Sequence, residues 1–178
     1  MAEVEREDQE LQVPGRFEAF YREKYPTVVA LVYGLTGSPW SAEDLAQEAF
    51  LRAHDDWTRV EGMVAPSAWV KRVALNLAVS RYRRLRSEAT AKLRLTPIAV
   101  TSLQTSTSES QAFWEEVRRL PRRQSQVLAL RYIDELSVAE IAEVLQVAEG
   151  TVKALMHQAR KRLARQLVAK GWVEDEAR

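Results

Sequence analysis

Residues Leu136–Leu163, LSVAEIAEVLQVAEGTVKALMHQARKRL, constrain the fold more than any other part of the chain. Ile141, Ala142 and Leu145 recur at helical spacing, Val147 falls where a turn must be plugged, and Val152, Leu155 and Met156 restart the period beyond it. Ser137-Val-Ala-Glu140 is a full capping box in front of the first run. A short helix, a tight turn and a longer basic helix make a helix-turn-helix, which seats its second helix in the major groove of DNA. The inward positions leave Glu149, Lys153, Ala154, His157, Gln158 and Lys161 facing out. Thr151, Lys153, His157, Gln158 and Lys161 are the candidate DNA contacts: Lys153 and Lys161 suit phosphate, and His157 and Gln158 suit base edges. Ala148 stands where the second helix needs its N-cap, which costs ~1 kcal/mol relative to Ser.

Charge is distributed to match. The net charge is only +1, yet residues 1–58 hold 5 basic against 12 acidic side chains, residues 59–94 hold 9 against 2, and residues 118–165 hold 10 against 5. Two basic segments and one acidic segment predict two surfaces that meet phosphate and a third that meets something else. The absence of cysteine excludes disulfides and thiolate metal sites, and with two histidines a zinc site would need carboxylates for most of its ligands, so none is expected. No apolar run approaches the ~18–20 residues that span a bilayer, and the acidic start MAEVEREDQEL is not a secretory leader. A soluble, cytoplasmic protein without cofactor or metal is expected. No P-loop, Gly-rich phosphate cradle or nucleophile–base set is present, so an enzyme is not expected.

The rest of the chain reads as helices. Residues 1–14 form an acidic tail expected to be disordered. Phe17, Phe20, Tyr21, Tyr25, Val28, Leu31, Val32 and Leu35 then define a first helix, kinked or interrupted at Pro26. Ser41-Ala-Glu-Asp44 predicts the capped start of a second, with Leu45, Ala49, Phe50, Ala53 and Trp57 inward. A loop over Thr58–Ala65 leads to a third helix from Pro66 to about Arg86, with Trp69, Val73, Leu77 and Val79 or Tyr82 inward. The Ser/Thr-rich stretch 87–110 lacks a helical period and reads as a flexible linker. Helices follow over Glu109–Leu120, Arg122–Tyr132, Ser137–Leu145 and Glu149–Leu167. The predicted fold is all-α: two small helical domains, residues 15–86 and 111–168, joined by a linker and followed by a tail, 169–178.

Two further constellations stand out. In SAEDLAQEAFLRAHDDW, Asp44, Gln47, Glu48 and Arg52 lie on the same or adjacent faces beside an apolar stripe, which by pattern alone is also an ordinary amphipathic helix. In PSAWVKRVALNLAVSRYRRLR, Trp69 and Tyr82 alternate with Lys71, Arg72, Arg81, Arg83, Arg84 and Arg86. Aromatics on a basic surface suit single-stranded nucleic acid, although Trp69 equally suits a core.

In order and spacing, DLAQEAFLRA, WVKRVALN with a following RYRR, and LPRRQSQVLALRYIDELSVAEIAEVLQVAEGTVKALMHQARKRL resemble a bacterial sigma factor of the extracytoplasmic-function (ECF) group, over about Phe17–Arg86 and Glu115–Leu167. Arg outnumbers Lys about three to one, as in high-GC genomes such as those of actinobacteria. The resemblance implies a protein that binds core RNA polymerase and directs promoter recognition, DNA opening and transcription initiation. By that resemblance Asp44, Gln47, Glu48 and Arg52 would dock on the polymerase clamp helices. Arg59, Asn76, Arg81, Arg83 and Arg84 would meet the −10 element, with a flipped base held near the Thr58–Ala65 loop. The helix-turn-helix would read the −35 element, with the flap region a second polymerase contact, and the linker would thread through the polymerase. Anti-sigma factors are common partners in the family. Four features depart from its pattern: Ser80 replaces a common Asp, Gln158 a common Arg, Ala148 the usual cap, and the loop TRVEGMVA lacks the usual Phe-Arg-Gly run. The competing reading is a two-domain transcriptional regulator that is not a polymerase subunit.

Overall fold

A computed structural model of the chain describes residues 15–92 and 108–171. Helix α1 (Arg16–Thr36) carries Pro26 inside it without interruption and ends at Gly37, whose φ of 70° closes the helix in the left-handed region. Its predicted apolar stripe is the packed one: Val28, Leu31, Val32 and Leu35 are buried, and Phe17, Phe20, Tyr21 and Tyr25 lie against them. Helix α2 (Pro39–Asp55) begins two residues before the expected cap. Ser38, not Ser41, is the N-cap: its hydroxyl accepts from the Ser41 amide at 3.3 Å, and Pro39 fits the first position, where no amide partner is needed.

Phe50 of α2 is the anchor of this half. Its ring sits 5.0 Å from Tyr21 and 5.9 Å from both Phe20 and Tyr25, and only 1% of the residue is exposed. The expected loop Thr58–Ala65 contains a short helix, α3 (Trp57–Glu61), before the turn to α4 (Pro66–Lys92). Helix α4 outruns its predicted end at Arg86, so part of the expected linker is helical. Its buried face is Val70, Ala74, Leu75, Ala78 and Val79 rather than the predicted Trp69, Val73 and Leu77, which are only partly covered. Small residues allow α1 and α2 to approach one side of α4 closely, and the larger side chains flank that contact.

The second half comprises α5 (Ser108–Arg119), α6 (Arg122–Tyr132), α7 (Val138–Leu145) and α8 (Glu149–Ala169). Glu116, 2% exposed, accepts from Arg119 at 2.6 Å and from Lys170, tying α5 to the end of α8. Between α7 and α8, Gln146 adopts φ 53°, and the Val147 amide donates back to the Ala142 carbonyl at 3.0 Å, which fixes the sharp turn. The described residues hold eight helices and no strand.

Two helical domains are therefore present, but they are not apart. One continuous cluster of buried side chains runs from Val28, Leu31 and Leu75 in the first half to Val127, Leu130 and Ile141 in the second. α1 packs on α5 and α6, and α4 packs on α7. The expected acidic tail, the centre of the linker and the end of the C-terminal tail lie outside the described residues.

Candidate nucleic-acid interface

The helix-turn-helix is built as its sequence dictates. Ile141, Ala142, Leu145, Val152 and Met156 are buried. The capping box is complete: the Ser137 amide donates to Glu140 Oε2 at 2.8 Å and the Glu140 amide donates to Ser137 Oγ at 3.3 Å. On α8, Thr151, Lys153, His157, Gln158 and Lys161 are all exposed. Gln158 is engaged on one side, where its Oε1 accepts from Gln124 Nε2 at 3.4 Å. Ala148 is the N-cap and no side chain caps the helix, so the first amides of α8 have no side-chain acceptor.

On α2, Asp44, Gln47 and Arg52 are exposed, and Glu48 is half-buried and accepts from Arg52 Nε at 2.9 Å. Two apolar side chains share this face at helical spacing: Trp40, 81% exposed, and Leu51, 58% exposed. Trp40, Ser41, Glu43, Asp44 and Gln47 line a shallow cleft of about 240 Å³ with Arg81 from α4. The five residues expected to gather around the −10 element are thus divided. Arg81 lines the cleft beside the acidic face of α2, and Arg59 lines a different one. Arg83 and Arg84 are exposed, Arg84 pairing with Glu88 at 3.0 Å.

Arg59 lies 5.9 Å from the centre of the Trp69 ring and pairs with Asp56. Both Arg59 and Trp69 line a larger cleft, about 420 Å³, with Met63, Val64, Ala68 and Arg72. Its far wall belongs to the other half of the chain, Glu143 and Gln146. Val64 at the rim is fully exposed.

Asn76 is not free. Its Oδ1 accepts from Arg122 Nη2 and, at 3.1 Å, from Gln126 Nε2, both on α6. Five residues before it, Lys71 Nζ lies 2.6 Å from Asp134 Oδ2, with side chains 13% and 9% exposed. The ammonium stands off the carboxylate's hydrogen-bonding directions, so this is an ion pair without an aligned hydrogen bond. Arg118 Nη1 donates to the Gly34 carbonyl at 3.1 Å, and burial lowers its pKa from the usual guanidinium range. Arg122 Nε and Gln126 Oε1 are buried without partners in the same contact. The junction therefore combines polar contacts with the continuous apolar cluster.

Residues 20–88 match the family described as Sigma-70 region 2, and residues 110–163 match Sigma-70, region 4. The chain is 33% identical over 165 residues to the ECF RNA polymerase sigma factor SigW of Bacillus subtilis, an alignment covering 83% of this chain and 84% of that protein. It belongs to the ECF RNA polymerase sigma factors. It is also 32% identical over 170 residues to the ECF RNA polymerase sigma factor SigM of Mycobacterium tuberculosis (strain H37Rv), covering 92% and 86% of the two chains. Its fold is shared with the sigma factor RpoE of Bartonella quintana, solved in complex with the anti-sigma factor NepR, at a TM-score of 0.64 and 23% identity over 85% of this chain and 96% of that one. No helix among the described residues of this sigma factor is long and apolar enough to cross a membrane.

Sequence reasoning missed the residues of region four that meet region two: Arg118, Arg122, Gln126, Asp134 and Glu143. Their only signal was charge and polarity on α5–α7 beyond what the helix-turn-helix requires. Trp40 was missed too, because it precedes the expected start of α2. Its signal was an aromatic directly before an acidic stripe.

Proposed function

We propose that this sigma factor docks on core RNA polymerase through α2, reads the −35 element with α8 and engages the opened −10 element with the α3–α4 region. Asp44, Gln47, Glu48 and Arg52 form the docking face for the clamp helices, with Trp40 and Leu51 as apolar anchors. Arg81 belongs with this face rather than with the −10 residues, because it shares the Trp40–Asp44 cleft. Arg59, Asn76, Arg83 and Arg84 meet single-stranded −10 DNA, where cations follow the backbone and Trp69 offers a ring for stacking. Thr151, Lys153, His157, Gln158 and Lys161 meet the −35 duplex, and the flap region of the polymerase is a second docking point. The free energy of binding drives strand opening, without nucleotide hydrolysis and without a cofactor.

The observation that carries this reading is the separation of surfaces. An acidic face with exposed apolar anchors stands on α2, and a basic face with free amides stands on α8. A plain duplex-binding regulator needs only the second. The deciding experiment is in vitro transcription with purified protein and core polymerase on a genomic promoter library. Transcripts that start at a shared upstream sequence and require both components are expected. Tight duplex binding by the protein alone, with no transcripts, would establish the regulator instead.

A further inference from the structure

On region four, a side chain proposed to face DNA is held by a buried one. Gln158 is exposed on α8, and its Oε1 accepts from Gln124 Nε2 at 3.4 Å. Gln124 is 7% exposed. It is the third residue of α6, and its own amide donates to the Pro121 carbonyl at 2.9 Å. One turn further along α6, Leu128 joins Ala159 and Leu163 of α8 in a buried cluster. The small side chain of Ala159 thus lets the two helices meet next to Gln158. We infer that Gln124 is a positioning residue for promoter reading: it fixes which end of the Gln158 amide is offered to the −35 duplex. The inference rests on the −35 role proposed for α8.

A glutamine amide carries an acceptor, Oε1, and a donor with two hydrogens, Nε2. With both ends free it pairs bidentately with adenine, through N6 and N7. Here Gln124 occupies Oε1, and the Gln158 side chain has no other polar partner among the described residues. Nε2 therefore keeps both hydrogens for DNA. Gln158 becomes a donor-only group, as arginine is, and its complement in the major groove is guanine, whose N7 and O6 are adjacent acceptors. Turning the Gln158 amide over would set donor against donor at Gln124 Nε2. Turning both amides over would bury the Gln124 NH2 without an acceptor. In the observed arrangement the buried atom without a partner is Gln124 Oε1, and an under-satisfied carbonyl is better tolerated than an orphaned N–H.

The tether also removes motion. Ordering a free glutamine side chain costs conformational entropy, and a side chain already held loses less of it on binding. At 3.4 Å the bond is long for N–H···O. Its consequence is orientation more than stability, so replacing Gln124 should change what is read without unfolding region four.

Two substitutions separate orientation from packing. Gln124→Glu keeps the shape but offers only acceptors, so it draws Gln158 Nε2 inward and turns Oε1 to DNA. Gln124→Met keeps the length and removes both polar atoms, which frees the Gln158 amide to pair with adenine. Gln158→Ala is the reference without a reader. Each full-length protein is combined with core polymerase. The holoenzyme then selects from duplexes of one promoter, found by transcription from the genomic library, whose upstream element is randomised. Bound and unbound duplexes are sequenced, and circular dichroism checks that each variant is folded.

One base pair should depend on Gln158. The parent should prefer guanine there about fivefold, and Gln158→Ala should show no preference. At that pair alone, Gln124→Met should admit adenine and Gln124→Glu should lose the preference for guanine. Placing 7-deazaguanine, which lacks N7, at that position should weaken the parent and leave Gln158→Ala and Gln124→Glu unchanged. Variants of Gln124 that keep the parent's preference, or that weaken every sequence alike, would show that Gln124 only packs and overturn the inference. A parent indifferent to 7-deazaguanine, or the lack of any base pair dependent on Gln158, overturns it too. If Gln124→Glu does not fold, Gln124→Met decides alone. A parent holoenzyme that selects no upstream sequence removes the −35 reading itself, whereas selection that the Gln124 variants share unchanged removes only the inference.

Discussion

Ser137 and Glu140 cap one helix by exchanging two hydrogen bonds, the amide of each donating to the side chain of the other. The box fixes where α7 begins, and so fixes the angle at which α8 leaves the turn. Hydrogen bonds from Ser137, side chain first and then backbone, hold the Glu140 carboxyl below the usual carboxylate range. A carboxylate with a depressed folded pKa stabilises the protein above its unfolded pKa, and that contribution is lost as pH falls through the folded value. Glu140→Ala should therefore melt earlier than the parent at neutral pH, with the two curves converging in acid. A difference that stays constant from pH 7 to pH 3 would show that the ionised carboxylate is not what stabilises the helix.

Ala148→Ser should stabilise region four. The backbone at Ala148 is already extended, with φ −68° and ψ 149°, as an N-cap requires, and only the side-chain acceptor is missing. A gain of about 0.5–1 kcal/mol is expected, read as a higher melting temperature. Because the added hydroxyl occupies an amide that DNA phosphate would otherwise use, −35 duplex affinity should not rise with the stability.

Core capture should depend on Trp40 as well as on the carboxylates. Trp40 is the more exposed of the two exposed large apolar side chains of α2 and is not part of the buried cluster. Trp40→Ala should weaken the complex with core polymerase by about 1–2 kcal/mol, the range of an aromatic interface anchor, and leave the melting curve unchanged. Asp44→Lys with Glu48→Lys should weaken it further. Size-exclusion co-elution at graded concentrations measures both, and full retention of the reversed variant would refute docking through α2.

On α8, Lys153→Ala should distinguish base reading from phosphate pairing. A loss of about 1–3 kcal/mol confined to some −35 sequences marks a base contact, whereas a uniform loss with a shallower salt dependence marks phosphate. His157→Ala in the same titration shows whether the two side chains read neighbouring positions.

Asn76→Ala and Arg83→Ala should act later. Both should leave −35 binding intact and lower the permanganate reactivity of unpaired thymines in holoenzyme on a cognate promoter. Normal opening by both variants would reduce this helix to a solvated basic face.

The sequence by itself determined the helices and most of their inward faces. Phe17–Leu35 and Ile141–Met156 repeat at helical spacing, so local periodicity and burial select the same residues. It also determined the outward face of α8, because a helix-turn-helix leaves few positions free once its turn is plugged. It did not determine the start of α2, since Ser38 and Ser41 are both plausible caps and Pro39 decides between them only when the preceding turn is known. Nor did it place Arg81 with Trp40, or bring Asp134 to Lys71 and Arg122 to Asn76. Those partners are separated by 41 to 63 residues, and their pairing depends on how the two halves of the chain meet across a shared core. That meeting is governed by the fit of apolar side chains from both halves and by a handful of polar contacts, neither with a periodic signature of its own in the chain, and only the tertiary structure decides it.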